Sequence, residues 1–264
     1  MVNSTMKPLY TVTRRSLKDK HLYSIEGEPA YQDMKSVTYY TGIIDKSGAL
    51  MNWAVREALA NVRRELAKKV GTTIELDAPW IDDMVDVAKE KPERIKTDAG
   101  DYGTMMHQAI DVFIAKGKWP AYDPAIQPAI DSFLLWWGKG RNIIMGDTYV
   151  ASKIHRYGGA FDCIEDRDDG IYLLDWKSSN AIWPEMAVQV AGGYGIAFEE
   201  TFGFRAAGAS ILRFGKHEPE FEARDIIMEP AQNAFFHSRY LREAMGQKLF
   251  VPVIKEKKKS AVSK

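Results

Sequence analysis

The chain of 264 residues has one cysteine, Cys163. An internal disulfide is therefore impossible, and so is a zinc or iron–sulfur site built from cysteines. No run of ~18 or more apolar residues occurs, so no transmembrane helix is expected. Residues 1–10 lack the apolar stretch of a secretion signal, and the expected setting is the cytoplasm, with no membrane partner. Charge of either sign is not in excess, since Lys+Arg and Asp+Glu stand at 36 each. Proteins that coat nucleic acid are usually basic, so this balance argues against a packaging role. It leaves room for an enzyme whose acidic site is offset by basic residues elsewhere. The helicase phosphate loop, Gly-x-x-x-x-Gly-Lys-Ser/Thr, is also missing. With 45% hydrophobic and 27% charged residues, the composition is that of an ordinary globular chain.

What is present divides into two textures. Residues 1–35 are polar and tyrosine-rich, with a turn at Gly27 and Pro29, and suit a short hairpin. Helical periodicity then dominates. Leu50, Trp53, Leu59, Val62 and Leu66 mark one helix ended by Gly71. Residues 79–90 predict a second, short helix, and residues 102–116 a third, capped by Asp98 or Asp101 and closed by Gly117. Residues 126–137 form a fourth, whose Phe133, Trp136 and Trp137 are expected in the core rather than stacked on bases. From 148 onward, three β-rich runs follow at 148–154, 159–164 and 171–176. The last two are joined by an Asp-Gly turn, in which Glu165, Asp166, Asp168 and Asp169 are expected to be solvated. A helix from Pro184 to about 200, strands at 209–214 and 221–228, and a helix at 230–245 complete the order. Two basic clusters, Arg14, Arg15, Lys18 and Lys20 at one end and Lys255, Lys257, Lys258 and Lys259 at the other, are expected to be frayed, solvated termini. The order predicts an α/β core of mixed strands with a helical part beside it.

Chemistry concentrates in two strands, Gly159-Ala-Phe-Asp162 and Leu173-Leu-Asp175-Trp-Lys177. A tight turn joins them, and antiparallel neighbours lie ~4.8 Å apart, so Asp162 and Asp175 can share one small volume. Two such carboxylates repel each other and favour protonation. A hard divalent cation, Mg²⁺ or Mn²⁺, removes that penalty. Lys177, two residues after Asp175, projects from the same strand face. A cation, a water and an ammonium together suit phosphodiester hydrolysis. An isolated Asp-x-Lys is weak as a signal; here the apolar run before it, the upstream Gly-x-x-Asp and the turn between them strengthen it.

Gly159–Asp162, then Leu173–Lys177 with Ser178 and Ser179, then Gln189 at the start of a helix, resembles the RecB-type branch of the PD-(D/E)XK nuclease superfamily. Asp101-Tyr-Gly-Thr-Met-Met-His107 resembles that branch's helix ending in histidine. Ser36-Val-Thr-Tyr-Tyr-Thr with Leu50-Met-Asn-Trp53 resembles the N-terminal segment of the mitochondrial genome maintenance exonucleases and of stand-alone phage exonucleases. Together the likeness spans roughly residues 20–245.

The resemblance implies a restriction-endonuclease-like mixed central sheet flanked by helices, with an N-terminal helical subdomain. Residues 1–140 would form the hairpin and helical part, 141–250 the nuclease core and 251–264 a basic tail. It implies Asp162, Asp175 and the main-chain carbonyl of Trp176 as metal ligands, Lys177 as the catalytic lysine and His107 as a further ligand. Asp147 falls near the place of an acidic residue that is usually glutamate, and would be an accessory ligand with a shorter reach. Gln189, Ser178, Ser36 and Thr38 would contact DNA. A tyrosine is expected four residues after Gln189; that position is Gly193, and the ring arrives one residue late at Tyr194. A one-residue slip turns a side chain ~100° around an α-helix, so Tyr194 is expected either to contact DNA, as the resemblance implies, or simply to pack. The implied activity is a metal-dependent DNA exonuclease acting from ends, without an iron–sulfur cluster, with recombination or replication proteins as unidentified partners. A structure-specific endonuclease, or a nuclease fold kept as an inactive DNA-binding module, remain the alternatives.

Overall fold

The computed structural model describes residues 6–18, 20–72 and 77–249. The lysine-rich tail expected at 251–264 lies outside them. The chain is a mixed α/β protein built on an eight-stranded mixed sheet. Its strands are β1 (Val12–Leu17), β2 (Lys20–Ile25), β3 (Met34–Ser36), β4 (Ile143–Ser152), β5 (Tyr157–Arg167), β6 (Gly170–Lys177), β7 (Gly208–Phe214) and β8 (Phe221–Asp225). The hairpin expected near the start is β1–β2. Through β3 it is hydrogen-bonded to β5, so residues 12–36 and the later strands share one sheet. Arg14 and Arg15 are therefore not in a frayed terminus, as their sequence context suggested; six paired positions hold them in β1.

The helices are α1 (Val37–Thr41), α2 (Ser47–Ala67), α3 (Ala78–Lys116), α4 (Gln127–Trp137), α5 (Pro184–Ala187), α6 (Gly195–Phe202) and α7 (Met228–Met245). A π-helical segment, Val188–Tyr194, joins α5 to α6 without a break. One apolar cluster packs α1, the π segment, α6 and α7 against β4–β7, around Phe161, Phe198 and Phe235. A second packs α3 and α4 against β6 and β7, around Phe133, Trp136 and Trp176. The aromatic end of α4 is thus core, as its spacing predicted.

Two expectations fail. The helices anticipated at 79–90 and 102–116 are one helix of 39 residues that runs through Pro92. Asp77, not Asp98 or Asp101, caps it by accepting from the Trp80 N–H. One proline removes one backbone bond, and the lysines and glutamates around it are strong enough helix formers to carry the turn across. At the other end Gly117 closes the helix in the left-handed conformation, as expected. The β5–β6 turn is also shorter than expected. Glu165 is not solvated but buried in β5, held by Arg141 and Arg167. Asp168 and Asp169 alone are the exposed turn.

Candidate functional site

Strand pairing leaves a fork in the sheet. On one edge β5 is paired with β4 along most of its length. On the other edge it pairs with β3 at Tyr157 and Gly158, and with β6 only from Cys163 onward. Between those two pairings, residues 159–162 have no strand on that side. The next step of the β5–β6 register would set Asp162 opposite Asp175. There the ladder gives way, and the Trp176 N–H donates to Asp162 Oδ2 at 2.5 Å. Trp176 thus contacts the site through its backbone, while its indole is buried in the core. α3 brings His107 to the opening, where its Nδ1 lies 2.7 Å from Asp162 Oδ1. Lys177 ion-pairs with Asp175. Sequence positions 107, 162, 175 and 177 therefore converge.

The surrounding cleft, about 500 Å³ in volume, also takes in Arg14, Asp111, Asp147, Gln189 and Tyr194. Arg14 stacks over the Tyr149 ring at 4.7 Å, and Tyr149 donates to Asp147 at 3.2 Å. Asp147 itself is exposed at the rim. Arg14 and Asp111 were missed as site residues by the sequence reading. Arg14 sits on an alternating strand that also reads as polar lead-in. Asp111 lies four residues after His107, the spacing that puts both on one helix face. That was the available signal.

Electrostatics mark the cleft as crowded with negative charge. Burial, then the Asp162 and Asp147 carboxylates, push Asp111 up to about 7, and its Oδ1 is buried without a hydrogen-bond partner. Burial also raises Asp175, with Lys177 opposing and Asp162 adding to the shift. Burial favours a neutral His107 ring, but Asp162 outweighs it and carries the imidazole up to about 9. Lys177 follows the same logic: burial lowers it and Asp175 more than compensates, so it stays an ammonium. Among the described residues, no three His, Cys, Asp or Glu side chains enclose a cation as they stand. The carboxylates are instead engaged by an imidazolium, an ammonium and a backbone N–H. The donor set nonetheless fits a hard divalent ion, which would relieve the same repulsion that these groups now offset.

Comparison with known protein families and with curated proteins finds no match. Among solved structures, the crystal structure of SSO0001 aligns with 70% of this chain and 85% of its own, at 8% identity and a TM-score of 0.32. A likeness that weak carries no argument about this site. Among the described residues, no helix is long and apolar enough to cross a membrane.

The π-helical segment resolves the displaced tyrosine. A π turn holds one residue more than an α turn, so residues five apart face the same way. Gln189 and Tyr194 are five apart, and the Gln189 amide donates to the Tyr194 hydroxyl. Tyr194 packs in the first apolar cluster and also lines the cleft. Its space comes from Gly159: a Cβ there would lie 2.4 Å from the Tyr194 ring. Of the other residues expected to contact DNA, Ser36 and Thr38 have local partners. Ser36 caps α1 by accepting from the Tyr39 N–H, with Thr38 Oγ1 at 2.8 Å. Thr38 and Gln189 line a neighbouring pocket. Ser178 lies under α3, 3.3 Å from where a Gly103 Cβ would be. Cys163 is buried and held as a thiol by burial and by the carboxylates on either side of it.

The sign of the pH response follows. A histidine raised from 6.5 to about 9 stabilises the fold fully below its unfolded value, and that stabilisation is lost as pH rises through about 9. Asp111, raised to about 7, adds a loss between its ordinary range and neutrality. Metal-free protein is thus expected to lose on the order of 2 kcal/mol between pH 6.5 and 9, roughly 5 °C in Tm, after allowance for partial exposure of the ring. Melting curves with chelator across that window check it. A flat profile, or one unchanged in His107→Ala, contradicts the pair.

Proposed function

We propose that the chain is a metal-dependent DNA nuclease of the PD-(D/E)XK type, with a restriction-endonuclease-like core, acting from DNA ends. The observation that carries the reading is the convergence of Asp162, Asp175 and Lys177 at a fork in the sheet, with His107 reaching in from α3. A hydrolase for phosphodiesters needs anchored carboxylates, a cation and an ordered water in one place, and this cleft offers the protein's share of that set.

Bound Mg²⁺ or Mn²⁺ would polarise the scissile phosphate and acidify a water, with Asp162 and Asp175 as its side-chain ligands. His107 holds Asp162 in orientation and would lose its extra proton when a cation takes over that carboxylate. Lys177, kept as an ammonium, orients the attacking water and offsets charge that builds on the phosphate oxygens. Gln189 and Tyr194 brace the opposite wall of the cleft. Arg14 places a fixed positive charge at the rim, where a phosphate backbone would approach.

Purified protein with end-labelled DNA tests the reading. Cleavage is expected with Mn²⁺ or Mg²⁺ and none with chelator, restored on adding the metal back. A covalently closed single-stranded circle should survive, because an enzyme that needs an end cannot start on it. Opening of the circle favours an endonuclease. Absence of cleavage on any substrate from pH 6 to 9 favours an inactive binding module.

A further inference from the structure

α2 packs on α3 and makes no substantial contact with any other element. Only the second half of α3 reaches the core, through Met106, Ala109 and Ile110. α2 and the first half of α3, residues 47–67 and 78–98, thus pack as a helical pair that stands out from the sheet. The side of α2 against α3 joins Trp53, Ala58 and Val62 to Glu57 and Asn61, and Asn61 is buried with its amide nitrogen unpartnered. At ~100° per residue, Met51, Val55, Leu59 and Leu66 fall in one stripe, about a third of a turn away from that contact. All four are exposed, Leu59 by 63% and Met51 by 65%. On α3, Ile81 and Val85 are exposed on the flank of the same contact. Because the two helices are antiparallel, the same phase arithmetic puts both stripes on one side of the pair, as a continuous apolar face.

The charges beside this face differ between the helices. α2 carries three arginines against two glutamates, whereas residues 78–98 carry six acidic groups against four basic ones. Arg56 and Arg63 line the outer edge of α2; Asp82 and Asp86 line the outer edge of α3. Among the described residues, Arg56, Arg63 and Asp82 are in no ion pair, the pairs on these helices lying within one helix. We propose that this face is a homodimer interface, in which two helical pairs dock about a two-fold axis along their length, α2 of each copy on α3 of the other. That pairing is self-complementary. It covers both apolar stripes and sets each arginine edge against an acidic edge. A helical pair ~30 Å long and two helices wide offers roughly 600 Å² per copy, which reaches the lower range of specific interfaces. DNA is a poorer occupant, since the acidic edge repels phosphate. The proposal is independent of the nuclease reading.

Light scattering of the full chain, from low micromolar to hundred-micromolar concentration, tests it. Wild type is expected at twice the chain mass at the upper end. Leu59→Glu is expected to be monomeric with an unchanged Tm, because Leu59 is exposed within one copy. Arg56→Glu with Arg63→Glu should weaken the dimer by about tenfold or more, through juxtaposed like charges. Adding Asp82→Arg and Asp86→Arg to that same chain should restore it. A wild type that stays monomeric throughout overturns the proposal, and so does a charge swap that fails to restore pairing. A monomer whose Leu59→Glu variant loses DNA affinity would instead assign the face to DNA.

Discussion

Lys177→Ala is expected to lower DNA cleavage by at least about a thousandfold while leaving DNA binding within a few-fold of wild type. The reasoning is local. Lys177 is held as an ammonium by Asp175 in a cleft that already contains Asp111, Asp147 and Asp162. In the proposed nuclease, its positive charge would stand beside the attacked phosphate, on the same strand as the proposed ligand Asp175. Arg14 lies at the other side of the cleft, over Tyr149, and cannot replace it. Removal of the ammonium also deprives Asp175 of its ion pair, so Asp175 should become easier to protonate and the variant's residual activity should shift to higher pH. Lys177→Arg separates charge from geometry: a planar guanidinium keeps the charge but not the position, and should recover little. Single-turnover cleavage beside a binding isotherm measures both quantities. An alanine variant that cuts at the wild-type rate removes Lys177 from the chemistry.

Gly193→Ala is expected to cost the fold at least about 2 kcal/mol. A Cβ at this position would lie 2.2 Å from Val37 Cγ1 and 2.7 Å from its Cγ2. Val37 is fully buried and β-branched, so it has neither room nor an easy alternative rotamer. Overpacking of that kind costs ~3 kcal/mol, against a gain of ~1 kcal/mol from replacing glycine within a helix. The net loss corresponds to a fall of roughly 6 °C in Tm. Gly100, inside α3, has nothing within 4 Å of its would-be Cβ, so Gly100→Ala should raise Tm and serves as the control. Because Gly193 lies within the π-helical segment, its alanine variant should also disturb the Gln189–Tyr194 contact and lower activity further than its stability loss explains. Calorimetry of both variants checks the ordering; equal melting temperatures would contradict it.

Legibility followed the range of the interactions involved. The β5–β6 hairpin and its two aspartates were readable because alternation, an Asp-Gly turn and register are all local. The fork that opens beside Asp162 was not readable, since it depends on β3, 122 residues earlier in the chain, pairing with the start of β5. Asp111 was hidden by ambiguity: its neighbours straddle an apolar and a polar face, and only the packing of α3 on the sheet decides which way it points. The gap expected between residues 90 and 102 is helical, because helix formers on both sides of Pro92 carry α3 across it. Tyr194 was read with α-helical phase, and the π-helical segment that sets its direction gives no local sequence signal. Glu165 looked solvated among its acidic neighbours; Arg167, two residues on at 2.7 Å, and Arg141, 24 residues away at 3.4 Å, make its burial tolerable together.

Anomalous scattering from a crystal soaked in manganese tests the central claim most directly. The account predicts a single strong peak between Asp162 and Asp175, with the His107 imidazole no longer donating to Asp162. Crystals in which Asp162 keeps its bonds to His107 and the Trp176 N–H, with no manganese beside either aspartate, would contradict it.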